Sequence, residues 1–329
     1  MTGAMTGAMT GAMTGAMTGA MTGALIKSGG ALCGGIDVGG TKIEAQLFGA
    51  GFAPLTQRRL PTSRGDFRDF MTVLAEQVEW ILEATGRSAP VGVALPGIVD
   101  PQTGASTAAN LPIGGRDVAA ALRARFGRDF VFLNDCSAFA LSEARGGAGE
   151  GFETVLGLIL GTGVAAGFCQ QGAEAPGRLN RLAVEIGHVG ISARALAGLN
   201  LPLIRCGCGR IGCYETYVAG PGLARLAEAK LGRRVSAEEL SAHAEGEAVL
   251  DLWAHLAAEA LDQARLLLDP QCVALGGGLS RLPGVAERLT AALARRPLGD
   301  LRPPALRVAK FGDASGGRGA AIQAWSLST

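Results

Sequence analysis

Leu32 to Pro61 reads LCGGIDVGGTKIEAQLFGAGFAPLTQRRLP. Its runs LCGGIDVGG, TKIEAQLFG and PLTQRRLP, separated by glycine turns, predict three consecutive strands in a meander. Beyond it, Phe67, Phe70, Met71, Leu74, Val78, Ile81 and Leu82 recur at helical spacing, with Gly86 just past the end. VGVAL (91–95) is a short buried strand that stops at Pro96-Gly97, and VFLND (131–135) is another, followed by the helix SAFALSEAR. A second round opens with strands VLGLIL (155–160) and VAAGFCQ (164–170). Helical patterns over 220–231 and 246–268, the strand-to-turn CVALGGG (272–278) and a closing helix AAIQAWSL complete it. Strands before helices, twice over, predict a duplicated α/β architecture with a cleft between the halves.

The 329 residues are 48% hydrophobic, ample for a packed core. Thirty basic and 29 acidic residues leave a net charge of +1, which disfavours nucleic-acid binders and polybasic membrane anchors. Residues 154–173 carry no charge, but five glycines interrupt them, so two strands joined by a tight turn explain them better than a membrane span. Seven cysteines without a secretion signal predict reduced thiols in the cytoplasm, available for metal. Residues 1–24 are six copies of MTGA. Half their positions are Thr or Gly and the first charge is Lys27, so neither a membrane span nor a signal peptide fits. A disordered extension is expected there.

Asp37-Val-Gly39-Gly40-Thr41-Lys42 joins two strand patterns. Adjacent glycines let backbone amides approach an anion, the hydroxyl and ammonium add donors, and Asp37 suits Mg²⁺. A plain hairpin would also want Gly-Gly. Leu160-Gly161-Thr162-Gly163-Val164 and Gly276-Gly277-Gly278 repeat the theme after apolar strands, and three such turns favour a nucleotide cleft. No GxxxxGK[ST] exists, and the GxGxxG at 207–212 follows no apolar strand, so neither a Walker loop nor a dinucleotide fingerprint is present.

The strongest local pattern is Cys206-Gly-Cys208-Gly-Arg-Ile-Gly-Cys213, with His188 eighteen residues before it. Three thiolates and an imidazole suit a closed tetrahedral Zn²⁺ site that organises a loop rather than activating water. Cys33, Cys136, Cys169 and Cys272 lie in or beside apolar runs and are expected to be small core residues, and His243 and His255 structural. Asn134-Asp135 end a buried strand where a βα turn opens, so Asp135 is either a proton acceptor or a helix cap. Glu185 and Glu215 flank the metal motif, as acceptors for a polyhydroxy ligand or as surface carboxylates.

Together these residues resemble the ROK family of sugar kinases from about Cys33 onward. DVGGTK and LGTGV look like its phosphate motifs, and EIGH with CGCGRIGCYE like its zinc and sugar signature. The resemblance implies an actin/hexokinase-like pair of ribonuclease-H-like domains closing over ATP, Mg²⁺ and sugar. A smaller domain would comprise 31–137 plus 314–329, and a larger one 138–313 with the zinc site, after a tail at 1–30. It implies Asp135 as general base for a sugar 6-hydroxyl. Asn134, Glu185, His188, Glu215, Pro96, Gly97 and Asn110 would line the sugar. Gly35, Asp37, Gly39 to Lys42, Thr162 to Val164, Gly167 and Gly277 would surround the nucleotide. RLPTSRGDF, FALSEA, GLNLPLIRCGCGRIGCYET and GDASGGRGAA are similar to the bacterial N-acetylglucosamine kinase subgroup, which implies ATP-dependent formation of N-acetylglucosamine 6-phosphate. Fructokinases usually carry Trp where this chain has Ile186. A fructokinase, a glucokinase and a non-catalytic sugar-binding regulator are the alternative readings. Similar kinases are often homodimers. Family repressors place a DNA-binding region before this part, and only 36 residues precede Asp37 here. Departures from the family pattern are Cys136-Ser137 for Ala-Asn, Ala165-Ala166 for glycines, and Val184 for a Gly.

Overall fold

The structure is a computed structural model that describes residues 32–100, 102–108, 110–174, 183–242 and 244–328. The MTGA tract and His243 lie outside them. The chain forms two compact units, the first ending at Leu133 and resuming from Gly316, the second running Asn134–Ser315.

In the first unit the meander appears as β1 (Cys33–Val38), β2 (Lys42–Phe48) and β3 (Pro54–Pro61), joined by β4 (Val91–Leu95) and β5 (Val131–Asn134). The sheet order is β3-β2-β1-β4-β5, with β1 antiparallel to β2 and parallel to β4. A two-residue ladder pairs Ile98–Val99 with Ser106–Thr107. Helix α1 (Phe67–Thr85) starts at an Asp66 cap whose side chain accepts from the Asp69 amide. It buries Phe70, Leu74, Val78 and Ile81 against Ile36, Ile43 and Val93. Helix α2 (Val118–Phe126), with no clear apolar periodicity, closes the same core through Val118 and Leu122.

The second unit repeats the plan with β6 (Thr154–Leu160), β7 (Val164–Gln170), β8 (Ala173–Glu174), β9 (Cys272–Gly276) and β10 (Ala305–Val308), ordered β8-β7-β6-β9-β10. Both sheets thus run third, second, first, fourth, fifth, which is the expected duplication in hydrogen-bonded form. The uncharged stretch 154–173 makes β6 and β7, and among the described residues no helix is long and apolar enough to cross a membrane. Helix α3 (Asp135–Ala144) packs on β6 and β7, with Phe139 over Gly157 and Gly276. That packing is why the units divide before Asn134, whereas the sequence reading places 134–137 and 314–315 with the first unit.

The remaining helices are α4 (Ala193–Leu196), α5 (Glu215–Val218), α6 (Gly220–Leu231), α7 (Ala237–Ala242), α8 (Ala244–Leu268), α9 (Val285–Ala294) and α10 (Ser315–Ser326). Trp253 of α8 is fully buried and donates from Nε1 to the Val218 carbonyl at 2.8 Å. Cys33, Cys136, Cys169 and Cys272 are all buried, as core residues should be. His255 faces Arg296, 3.0 Å from its guanidinium, and burial followed by that cation lowers its pKa, consistent with a structural role.

One buried carboxylate ties the second unit together. Glu143 of α3 accepts from the Ala148 amide at 2.8 Å and the Lys310 amide at 2.9 Å through Oε2. Its Oε1 accepts from the Phe311 amide at 3.0 Å and the Ser315 hydroxyl at 2.9 Å. Glu143→Ala strands four donors, three part-buried amides and the buried Ser315 hydroxyl, so unfolding free energy should drop by about 3 kcal/mol or more. Ser315→Ala removes one donor and should cost about 1 kcal/mol. Urea titration of both variants measures this, and similar small losses would show that the carboxylate holds little.

Candidate active site

Each unit gathers its own set of chemically capable residues around its first hairpin. In the first unit the β1–β2 turn closes with the Gly39 amide donating to the Lys42 carbonyl at 2.9 Å. Thr62, at the end of β3, stitches onto this turn. Its hydroxyl donates to Gly39 O at 2.6 Å and its amide to Thr41 O at 3.0 Å. A cavity of about 600 Å³ opens beside the turn, lined by Gly40, Thr41, Arg64, Asn110, Leu111 and Pro112. A Cβ on Gly40 would sit 3.3 Å from Asn110 Cβ, so the turn and Asn110 touch. The Asp37 carboxyl lies against the backbone of Gly316, where any side chain would displace it. Pro96 and Gly97 end β4, with Gly97 at φ +91° against the Thr107 carbonyl.

Two expected residues in this unit are placed elsewhere. Gly35 is in mid-strand, where an added Cβ would overlap the Gly317 carbonyl of α10, so it admits a helix rather than facing the turn. The Lys42 ammonium points along β2 to Glu44, 3.3 Å away. Glu44, buried, also accepts from Gln46 at 2.6 Å and pairs with Arg59 across the ladder. Residues two apart share a strand face, and that alternation carries Lys42 to its acidic neighbour.

In the second unit, Asn134 caps α3, its side chain accepting from the Cys136 amide at 2.8 Å. The cap is therefore Asn134, and Asp135 is left as the first helical residue. Burial pushes the Asp135 carboxyl above the usual range, opposed by hydrogen bonds from Cys136. Glu185 is raised too, first by burial; His188 counters this, while Asp135 and Glu215 add to it. These four side chains thus share one electrostatic neighbourhood.

The second hairpin turn belongs to the same neighbourhood. Glu215 Oε2 accepts from the Val164 amide at 3.2 Å, and a Cβ on Gly163 would lie 2.6 Å from that oxygen. Thr162 is exposed at the tip. Gly167 is a packing glycine, its absent Cβ replaced by the Cys136 carbonyl. Gly277, at φ +81°, lies against Leu160, where a side chain would be both strained and crowded. Ala166 is fully buried and bridges Val184, so this departure points into the core.

Glu215 Oε1 reaches the other way, accepting from Cys206 Sγ at 3.4 Å. Cys206 belongs to the group His188, Cys206, Cys208 and Cys213, whose ligand atoms all lie within 4.8 Å of one another. Cys208 and Cys213 sulfurs are 3.6 Å apart, and His188 Nδ1 is 3.7 Å from Cys206 Sγ. A tetrahedron with metal–sulfur bonds of about 2.3 Å has edges of about 3.8 Å, so the donor set fits a zinc ion. Gly209 (φ +89°) and Gly212 (φ +77°) supply the left-handed turns that wrap the loop. Without a cation, burial and the neighbouring thiols push Cys213 up to about 12.

Arg64, Gly316 and Glu143 stand out by no motif of their own and lie inside RLPTSRGDF, GDASGGRGAA and FALSEA. Gly316 was detectable from the Gly pair in GDASGGRGAA, and Glu143 from a carboxylate in the apolar run FALSEA.

Comparison with known proteins places this geometry. The ROK family matches residues 33–326. An N-acetylgalactosamine kinase of Shewanella sp. is 39% identical over 298 residues, covering 88% of this chain and 95% of its own. An N-acetyl-D-glucosamine kinase of Pectobacterium atrosepticum is 37% identical over 296 residues, covering 88% and 97%. The ROK hexokinase of Thermus thermophilus superposes with a TM-score of 0.77 at 30% identity, covering 90% of this chain and 98% of that one. With a match that runs from the first strand to the last helix, this chain belongs to the ROK family.

Proposed function

We propose that the protein transfers the γ-phosphoryl group of ATP to the 6-hydroxyl of N-acetyl-D-glucosamine. The observation that carries this reading is Asp135, a carboxyl raised by burial and grouped with Glu185, His188 and Glu215 in one electrostatic neighbourhood. Relatives named as N-acetylhexosamine kinases, at 37–39% identity over most of the chain, supply the substrate class. Because one of them is named for N-acetylgalactosamine, the second reading is that sugar, which keeps the 2-acetamido group and differs at C4.

In the reaction the sugar oxygen forms a bond to the γ-phosphorus while its proton passes to Asp135. The bond from that phosphorus to the β–γ bridging oxygen breaks, and ADP leaves with the electron pair. Asn134 fixes the start of α3 and so the position of Asp135. Glu185, His188 and Glu215 align sugar hydroxyls within the second unit. The Gly39–Thr41 turn is the element of the first unit suited to phosphate oxygens. Bound Mg²⁺ would neutralise phosphate charge, and Asp37 is the carboxylate suited to hold its water shell. His188, Cys206, Cys208 and Cys213 would hold a structural zinc ion that fixes the loop bearing Glu215. Because His188 presents Nδ1 to the thiols, its Nε2 is left for the sugar. Free thiols fit a cytoplasmic protein.

The deciding experiment is ATP-dependent turnover of N-acetylglucosamine, N-acetylgalactosamine, N-acetylmannosamine, glucose and fructose. A kcat/KM for N-acetylglucosamine about tenfold above the rest, worth about 1.4 kcal/mol, supports the reading. Preference for glucose or fructose would refute it. Asp135→Asn should lower kcat by about 10²- to 10⁴-fold. Its folded pKa is raised, so the folded state gains stability as pH falls through that window and bears an ionised buried carboxylate above it. Hence Asp135→Asn should melt no lower than wild type at neutral pH, and a clear loss of both activity and Tm would mark a structural residue. In the wild type, the acid limb of kcat/KM should lie above that of an exposed aspartate, since the protonated form accepts nothing. Cys208→Ser should lose bound zinc by metal analysis and raise the sugar KM; a wild type without zinc would overturn the metal assignment.

A further inference from the structure

The cation that meets the transferred phosphoryl group ought to stand beside the first glycine turn, and the motif's own lysine does not fill that place. Lys42 is already engaged by Glu44 at 3.3 Å, and its direction is set by strand alternation. Arg64 is a second positive side chain near the turn. It lines the 600 Å³ cavity together with Gly40, Thr41 and Asn110. Among the described residues it meets no carboxylate and forms no hydrogen bond, although Asp66 and Asp69 lie close in sequence. Asp66 is occupied as the α1 cap, accepting from the Asp69 amide at 2.9 Å.

The segment that carries Arg64 is also fixed to the turn. Thr62, two residues earlier and nearly buried, makes the two hydrogen bonds to Gly39 and Thr41 already described. The guanidinium is therefore presented from an anchored strand end. A phosphoryl group offers three oxygens to such a planar fork, which can hold two of them at once.

We propose that Arg64 binds the phosphoryl group as it arrives on the sugar, contacting its non-bridging oxygens in the transition state and in the sugar 6-phosphate product. This rests on the phosphotransfer reading above. Arg64 then distinguishes the phosphorylated sugar from the free one, while Asn110 beside it serves both.

The test is calorimetric titration of the full-length wild type, Arg64→Gln and Arg64→Lys with N-acetylglucosamine, its 6-phosphate and ADP in turn. Arg64→Gln should raise Kd for the 6-phosphate by about tenfold or more, the scale of a hydrogen bond to a charged group. The free sugar and ADP should stay within about twofold. Arg64→Lys should recover part of the loss, and kcat should fall in Arg64→Gln with sugar KM little changed. Arg64 is exposed, so both variants should melt with the wild type. Equal weakening of sugar and 6-phosphate, weakening of ADP alone, or no change would overturn the assignment. So would a loss in Arg64→Gln smaller than that in Lys42→Met. If the wild type binds the 6-phosphate through Arg64 yet turns over none of the sugars, the phosphotransfer reading fails while the Arg64 site stands.

Discussion

The second unit is organised by a carboxylate that water never touches. Glu143 takes three backbone amides and one hydroxyl, and its donors come from two stretches of chain far apart in sequence. A buried charge is tolerable only when so surrounded, and once surrounded it fixes every group that surrounds it. The same helix begins at the Asn134 cap and bears Asp135 in its first turn. Helix α3 is thus clamped at both ends, with Phe139 laid over glycines between them. The proposed base shares its helix with this buried anchor, two turns away.

The duplicated sheets carry unlike equipment. In the first unit the hairpin turn is stitched to the end of β3 by Thr62 and opens on a cavity with a cation. In the second the turn is bridged by Glu215, one oxygen on the Val164 amide and the other on Cys206. One side chain therefore joins a glycine turn to the thiol loop. Farther along, Ser192 and Arg194 dock on Glu259 of α8, together with Arg296. Burial raises the Glu259 pKa, but these hydrogen bonds outweigh it and hold the group down to about 2. The segment between His188 and the cysteines is anchored by charge as well as by packing.

Strands with two buried faces were the most legible part of the sequence. VGVAL and VAAGFCQ coincide with β4 and β7 because continuous apolar runs flanked by Gly or Pro have few other uses. Edge strands were not legible. β10 follows LRPP and is half exposed, and β8 is two residues long, so neither shows a pattern. Of the site, the grouping of His188 with Cys206, Cys208 and Cys213 was readable, since the cysteine spacing is a local property. The glycines were ambiguous because the same residue serves an anion and a close helix. Gly39 and Gly40 form a turn, whereas Gly35 and Gly167 make room for backbone. Lys42 belongs to the motif by adjacency, while its pairing with Glu44 follows the strand alternation that the sequence shows.

The first unit is built from two separated pieces of chain. Its sheet is complete by Asn134, but α10 returns from Gly316 to press Gly317 on Gly35 and Ala320 on Gly92. The second unit is continuous. During synthesis on the ribosome, a continuous unit can close as soon as it emerges, whereas a divided one must wait for its last piece. The divided unit is thus expected to close after the continuous one, although its sheet is made first. The first sheet to emerge spends the longest time with its glycine-lined face uncovered, and the terminal helix is what ends that exposure.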